Sequence, residues 1–289
     1  MTALGSQPDP ADVIRCGLRV NSASSPLEPV VYYTTGRLES PGERTSFPPM
    51  APVDLLAIAA HRDDVELTCA GTLIKMQRAG HRTGIVDLTA GETGTLGDAE
   101  TRAAEAAKAA EVMEVAERIN AGLPDAGIFN TDATRRIVVG LIRQLRPRAV
   151  IIPFPAGRHP DHRVASELAR DACYLAGLAR YEAEGGAHHR PEKVLYAQAY
   201  REDPVKPTFV VDISAEFETK LDAIHCYSSQ FDAATAAGEL FPTGQALYDL
   251  IRTQNAHYGS LIRAAYGEPF HTVETVRVDD VVTMGVSTF

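Results

Sequence analysis

From residue 50 onward the chain alternates short apolar runs with longer amphipathic stretches, and this alternation narrows the folds open to it. Val53-Asp54-Leu55-Leu56-Ala57-Ile58-Ala59-Ala60 reads as a buried strand. Val65 to Ala79 reads as a helix, closed by Gly80 in a left-handed cap. Arg82 to Thr89 is the next strand, and Ala99 to Arg118 a helix with Ala103, Ala107, Ala110 and Met113 at helical spacing and Asp98 as its cap. A short strand over Ile119–Ala121 precedes the turn at Leu123-Pro124-Asp125. The pattern continues with a helix from Asp132 to Leu145 and a strand from Ala149 to Phe154. The next helix opens at Pro160 and runs to about Ala176. After a polar loop come strands Lys193–Tyr200 and Phe209–Ile213, and helices Ala215–Tyr227 and Gly244–Tyr258. Strands that are apolar throughout, rather than alternately, belong to parallel sheets covered on both faces. The expected fold is α/β, a Rossmann-like three-layer sandwich with a mostly parallel sheet.

Residues 1 to 49 differ. They are rich in Pro, Ser, Gly and Thr and carry no sustained apolar period. They read as a flexible N-terminal extension, or as translation from an upstream start codon, with a short hairpin around Val30–Tyr33 as the structured alternative. The catalytic domain is expected over residues 50–289. No run of about 18 apolar residues suggests a membrane span, and no secretory signal pattern is visible. Cys16, Cys69, Cys173 and Cys226 are widely spaced and form no CxxC pair, as expected of free thiols in the cytoplasm. A formal charge of −10 argues against nucleic acid or anionic membrane as the main partner.

Two clusters carry chemistry. His61-Arg62-Asp63-Asp64 follows the first strand, and His159-Pro160-Asp161-His162 follows the strand ending at Phe154. Both therefore fall at the carboxyl edge of the expected sheet, where open α/β sheets bind ligands. His61 and Asp64 are three apart, as are His159 and His162, each at a strand-to-helix turn where side chains at that spacing converge. Two histidines with one carboxylate suit zinc, iron(II) or manganese and leave positions open for water and substrate. A divalent metal lowers the pKa of bound water from roughly 16 to about 7, and a neighbouring carboxylate can take the proton. If Asp64 ligates, Asp63 is free to serve as that base. His159 suits an acid or oxyanion donor, with Asp161 orienting it. The combination points to metal-assisted hydrolysis.

The run from Ala60 to Glu66 (A-H-x-D-D-x-E) and the H-P-D-H run resemble the N-acetylglucosaminyl deacetylases of the LmbE-like (PIG-L) family. Asp87-Leu88-Thr89, Leu123-Pro124-Asp125, the Lys220–Phe231 segment and Tyr266-Gly267-Glu268-Pro269-Phe270 add to the likeness. Its nearest form is the bacillithiol-pathway branch, which deacetylates N-acetylglucosaminyl malate. The resemblance implies zinc held by His61, Asp64 and His162, Asp63 as general base and His159 as acid. It also implies a sugar conjugate as partner and Arg102 as a substrate-binding residue. Arg158 is a further candidate for a substrate carboxylate. Many relatives assemble into oligomers, so a homo-oligomer is open. Three departures bear on substrate. Arg62 stands where many members have Pro or Ser, and Ala90 where a charged residue precedes Gly91-Glu92. A family tyrosine falls on Leu247 or Tyr248, of which Tyr248 is the candidate. The alternatives are an amidase on another glucosamine conjugate, or an iron oxygenase, whose usual all-β barrel conflicts with the strand–helix alternation. Gly91, Gly94 and Gly97 do not make GxGxxG and read instead as an active-site loop. The GxSxG elbow of a serine hydrolase is absent from the sequence.

Overall fold

The computed structural model describes residues 30–32, 50–198, 205–231 and 247–286. The strands are β1 Val30–Tyr32, β2 Leu55–Ala59, β3 Thr83–Thr89, β4 Glu117–Leu123, β5 Ala149–Pro153, β6 Lys193–Ala197, β7 Phe209–Asp212 and β8 Gly267–His271. The helices are α1 Asp64–Thr68, α2 Ala70–Arg78, α3 Ala99–Val112, α4 Asp132–Leu145, α5 Pro160–Ala176, α6 Phe217–His225, α7 Ser228–Phe231 and α8 Leu247–Ser260. The strands form one sheet in the order β1-β4-β3-β2-β5-β6-β8-β7. The pairings are parallel except those of β8 with β6 and β7.

The sheet explains why β2 is apolar at every position. Successive side chains on a strand point to opposite faces. Leu55, Ala57 and Ala59 enter a core shared with Val65, Leu73, Met113 and Phe217, residues of α1, α2, α6 and the α3–β4 turn. Leu56, Ile58 and Ala60 enter the other core, with Val138, Ile142, Leu168 and Ala172 of α4 and α5. The chain leaves β2 for β3 on one side and later returns to place β5 on the other. The carboxyl ends of β2 and β5 therefore border the crevice where the strand order reverses.

Two helix expectations are corrected. The helix read over Val65–Ala79 is two, broken at Cys69 (φ −141°). The amides of Gly71 and Thr72 at the start of α2 donate to the Glu268 carboxylate at 2.9 and 2.7 Å, and Lys220 Nζ meets the same carboxylate at 2.7 Å. An anion from distant β8 thus satisfies the donors a helix start leaves open. The helix read over Ala99–Arg118 stops at Val112, turns through Glu114 (φ 56°), and Glu117 and Arg118 begin β4. β8 contains Gly, Glu and Pro, residues depleted in strands, and is legible in the sequence only as a motif. Val30–Tyr32 is a strand parallel to β4 at the edge of the sheet, and the rest of the N-terminal 49 residues, with the second half of the expected hairpin, lies outside the described residues. So do the expected start of the last helix at Gly244 and the end of the strand at Tyr200. Cys69, Cys173 and Cys226 are free thiols. No described helix is long and apolar enough to cross a membrane.

Candidate metal centre

The end of β2 is tied to the end of neighbouring β3: Thr89 donates its backbone amide and its hydroxyl to the Ala60 carbonyl, both at 3.0 Å. That fixes the residue before His61. The turn into α1 then closes on itself, since the His61 amide donates to Asp64 Oδ2 at 2.9 Å. Across the crevice, Pro160 starts α5 and brings His162 over from the β5 side.

The result is a tight triad. His61 Nδ1 lies 3.2 Å from His162 Nε2 and 3.3 Å from Asp64 Oδ2, and His162 Nε2 lies 3.0 Å from Asp64 Oδ1. Donors around a tetrahedral zinc at bond lengths of roughly 2.0–2.1 Å are about 3.3 Å apart, so this donor set fits such an ion. The electrostatics agree. Burial alone would lower the His61 pKa, but Asp64 and Asp125 outweigh it and raise it to about 11. For Asp64, burial favours the neutral acid, yet His162 and His61 hold the carboxyl well below its usual range. Burial also lowers His162, and Asp64 more than reverses this. The carboxylates thus place a negative field on the imidazoles, and a divalent ion bound there would displace the ring protons that this field now holds.

The far side of the His61 ring is anchored separately. Its Nε2 lies 3.1 Å from Asp125 Oδ1 and 3.5 Å from Asp161 Oδ2. A carboxylate at Nε2 keeps the proton there and turns Nδ1 toward the triad, the arrangement usual for metal-bound imidazoles. Asp125 also accepts from the Thr93 amide at 3.0 Å and hydroxyl at 2.7 Å, while the Glu92 carboxylate accepts the Asp125 amide at 2.9 Å. The loop carrying Gly91, Gly94 and Gly97 is thus tied to the centre through Asp125.

Asp63 stands beside the triad. Arg102 Nη2 is 3.4 Å from its Oδ1, and Arg102 Nη1 donates to the Gly91 carbonyl at 3.0 Å. Burial raises the Asp63 pKa and Arg102 opposes the rise. Arg102 is buried against Asp63, with its Nε buried and without a protein partner. Gly91 makes room for it: at φ 71° a Cβ there would sit 2.0 Å from Arg102 Nη1.

The expected pairing of Asp161 with His159 takes another form. The Asp161 carboxylate accepts the Ala126 amide at 2.8 Å and faces His61, while His159 Nδ1 accepts the Asp161 backbone amide at 3.2 Å as the cap of α5. An accepting Nδ1 leaves the neutral ring's proton on Nε2. Burial, then His61 and His162, lower the His159 pKa. The His159 ring meets that of His61 edge-on, centroids 4.8 Å apart. Arg158 lies beside it on the exposed β5–α5 loop. Tyr248 stacks on His225 of α6, centroids 4.0 Å apart.

Sequence reasoning missed a buried network behind the centre. Arg118 Nε and Nη2 each meet the Asp87 carboxylate at 2.9 Å, and Nη1 meets Glu66 Oε1 at 2.6 Å. Arg118 and the Tyr227 hydroxyl both donate to the Arg62 carbonyl, and Tyr227 also donates to Glu66 at 2.9 Å. The backbone just before Asp63 is therefore held from behind. The available signal was Asp87, a charge in an otherwise apolar strand.

The chain is similar to known proteins in sequence and in fold. The profile of the family described as PIG-L, GlcNAc-PI de-N-acetylase, matches residues 56–173. The chain is 31% identical over 192 residues to a diacetylchitobiose deacetylase of Thermococcus kodakarensis, covering 61% of this chain and 70% of that protein. It is 27% identical over 165 residues to a 1D-myo-inositol 2-acetamido-2-deoxy-alpha-D-glucopyranoside deacetylase of Rhodococcus opacus, covering 45% of this chain and 56% of that protein. The crystal structure of a conserved protein from Thermus thermophilus superposes with a TM-score of 0.70 at 36% identity, covering 78% of this chain and 98% of that one.

Proposed function

Since the chain belongs to the PIG-L family of GlcNAc-PI de-N-acetylases, we propose that it is a metal-dependent hydrolase that removes the acetyl group from an N-acetylglucosaminyl conjugate. One observation carries this reading: His61, Asp64 and His162 converge at 3.0–3.3 Å with the Arg102-held carboxylate of Asp63 beside them. His61 Nδ1, Asp64 and His162 Nε2 would hold the ion, zinc by donor type, with iron(II) or manganese as alternatives. When bound, it would supply Lewis acidity and an acidified water.

The chain's own residues do the rest. Asp63 accepts a proton from the attacking water as its oxygen bonds to the acetamide carbonyl carbon. Arg102 fixes the carboxylate's direction and favours its charged form. His159 offers Nε2–H to the oxygen that gains negative charge. As the C–N bond breaks, the amine takes a proton from Asp63 or His159, and acetate leaves. Arg158 is the candidate for a substrate carboxylate, and Tyr248 the candidate for the tyrosine that family members place over the scissile carbonyl.

Among conjugates, we propose the malyl glycoside of the bacillithiol pathway, on the motif likeness described above. The named activities of the two relatives, on diacetylchitobiose and on an inositol glycoside, favour other N-acetylglucosamine conjugates as the second reading. The test is acetate release by metal-quantified protein from N-acetylglucosamine and from its malyl, inositol and chitobiose conjugates. Fastest turnover of the malyl glycoside supports the first reading, and fastest turnover of another conjugate supports the second. Acetate from none would overturn both.

A further inference from the structure

Three stretches of chain meet behind Asp63, and the short helix α7, with Tyr227 before it, joins them. The first is the His61–Asp64 turn: the buried Tyr227 hydroxyl donates to the Arg62 carbonyl and, at 2.9 Å, to Glu66. The second is α3. Glu105 lies one turn beyond Arg102 and is buried. Its Oε1 accepts the Ser229 amide at 2.7 Å and its Oε2 the Ser229 hydroxyl at 2.7 Å. The third is the glycine loop. Gln230 Nε2 donates to the Leu96 carbonyl at 2.6 Å. Gly97 passes so near that a Cβ on it would sit 2.7 Å from Ser229 Oγ. Arg62 closes the ring, donating from Nη1 to the Ala99 carbonyl in the first turn of α3 at 2.6 Å.

We propose that α7 is a brace for the base: through Glu105 it sets α3, and hence Arg102, against the turn that carries Asp63, which makes Glu105 and Ser229 positioning residues for the proton transfer. This deepens the deacetylase reading and rests on it. Glu105 and Arg102 are three apart and share one face of α3. Arg102 reaches Asp63 Oδ1 at 3.4 Å and the Gly91 carbonyl at 3.0 Å. A shift of α3 therefore moves the guanidinium off the carboxylate that it directs. Reacting groups work only within about 0.5 Å of their productive place, and a displacement of about 1 Å costs up to about 100-fold in rate. The tie itself is firm, because both Ser229 bonds run to a carboxylate and are charge-assisted. His61, Asp64 and His162 are held by other means: their own turn, Asp125 and the start of α5. Loss of the Glu105 tie should accordingly spare the metal.

The test is a double-mutant cycle of Glu105→Ala with Asp63→Asn on the metal-quantified full chain. It uses a conjugate that the wild type deacetylates, reads kcat and KM separately, and checks folding by thermal unfolding. In the wild-type background Glu105→Ala should lower kcat about 10- to 100-fold, with KM and metal content unchanged. In the Asp63→Asn background it should cost nothing further, because it acts through that carboxylate. Glu105→Gln keeps an acceptor for the Ser229 amide and a partner for its hydroxyl, and should restore most of the rate. Ser229→Ala removes one bond of the pair and should show a smaller loss with the same pattern, so the brace is tested even if Glu105→Ala does not fold. Wild-type kcat in the folded, metal-loaded variants would overturn the brace. So would an equal fall in the Asp63→Asn background, or a loss of metal that accounts for the fall. Each of these leaves the deacetylase reading standing. A wild type that releases acetate from no conjugate would overturn that reading and the brace with it.

Discussion

Replacing Arg118 with methionine tests whether the network behind the centre holds the fold and the site together. The substitution keeps an unbranched stem and removes the charge. It takes away three charge-assisted bonds, of 2.9, 2.9 and 2.6 Å, from Asp87 and Glu66. Those carboxylates are 1% and 0% exposed, so water cannot replace the lost partner. Removing one member of a buried pair costs about 3–5 kcal/mol, mostly the penalty of the charge left behind. At roughly 2–4 °C per kcal/mol for a domain of this size, Tm should fall by about 6–20 °C. Thermal unfolding followed by circular dichroism reads this directly. The stated cause has its own control. Arg118→Met combined with Glu66→Gln and Asp87→Asn removes the stranded charges and should recover about half or more of the loss. Because Arg118 also holds the Arg62 carbonyl, the single variant should bind metal more weakly as well. A Tm drop below about 2 °C, or a triple variant no more stable than the single, would refute the argument.

Asp63→Asn should retain the metal, measured by elemental analysis, while turnover falls about 10²- to 10⁴-fold; near-normal turnover would remove Asp63 from the base role. Asp125→Asn should weaken metal affinity about 10- to 100-fold in a chelator competition on the metal-free protein, since it loosens the Nε2 side of His61. Unchanged affinity would show that the carboxylate does not orient the ligand. Glu268→Ala strands the fully buried Lys220 and uncaps α2. It should cost about 3–5 kcal/mol in urea unfolding, and a loss under about 1 kcal/mol would contradict the pairing.

Much of the centre was legible before any coordinates because its parts are local. His61, Asp63 and Asp64 share one turn, and His159 and His162 share another. Strand–helix alternation places both turns at the carboxyl edge of a parallel sheet. The same alternation read the order of the main elements, since continuous apolar runs and helical periods reflect burial on two faces or on one.

What pairing across the sheet decided was out of reach. Arg118 reads as a helix end until Asp87 from the neighbouring strand and Glu66 from α1 neutralise it in the interior. Cys69 reads as mid-helix until Glu268, 199 residues along, caps the segment that follows it. The contact of Arg102 with Asp63 could not be read from the chain, and Asp161 reads as a partner of His159 until it turns to His61. Periodicity in a chain reports which side chains must leave water, and that depends on each residue's own chemistry and its near neighbours. The partner of a buried charge depends on which distant segment arrives beside it, and only the folded sheet settles that.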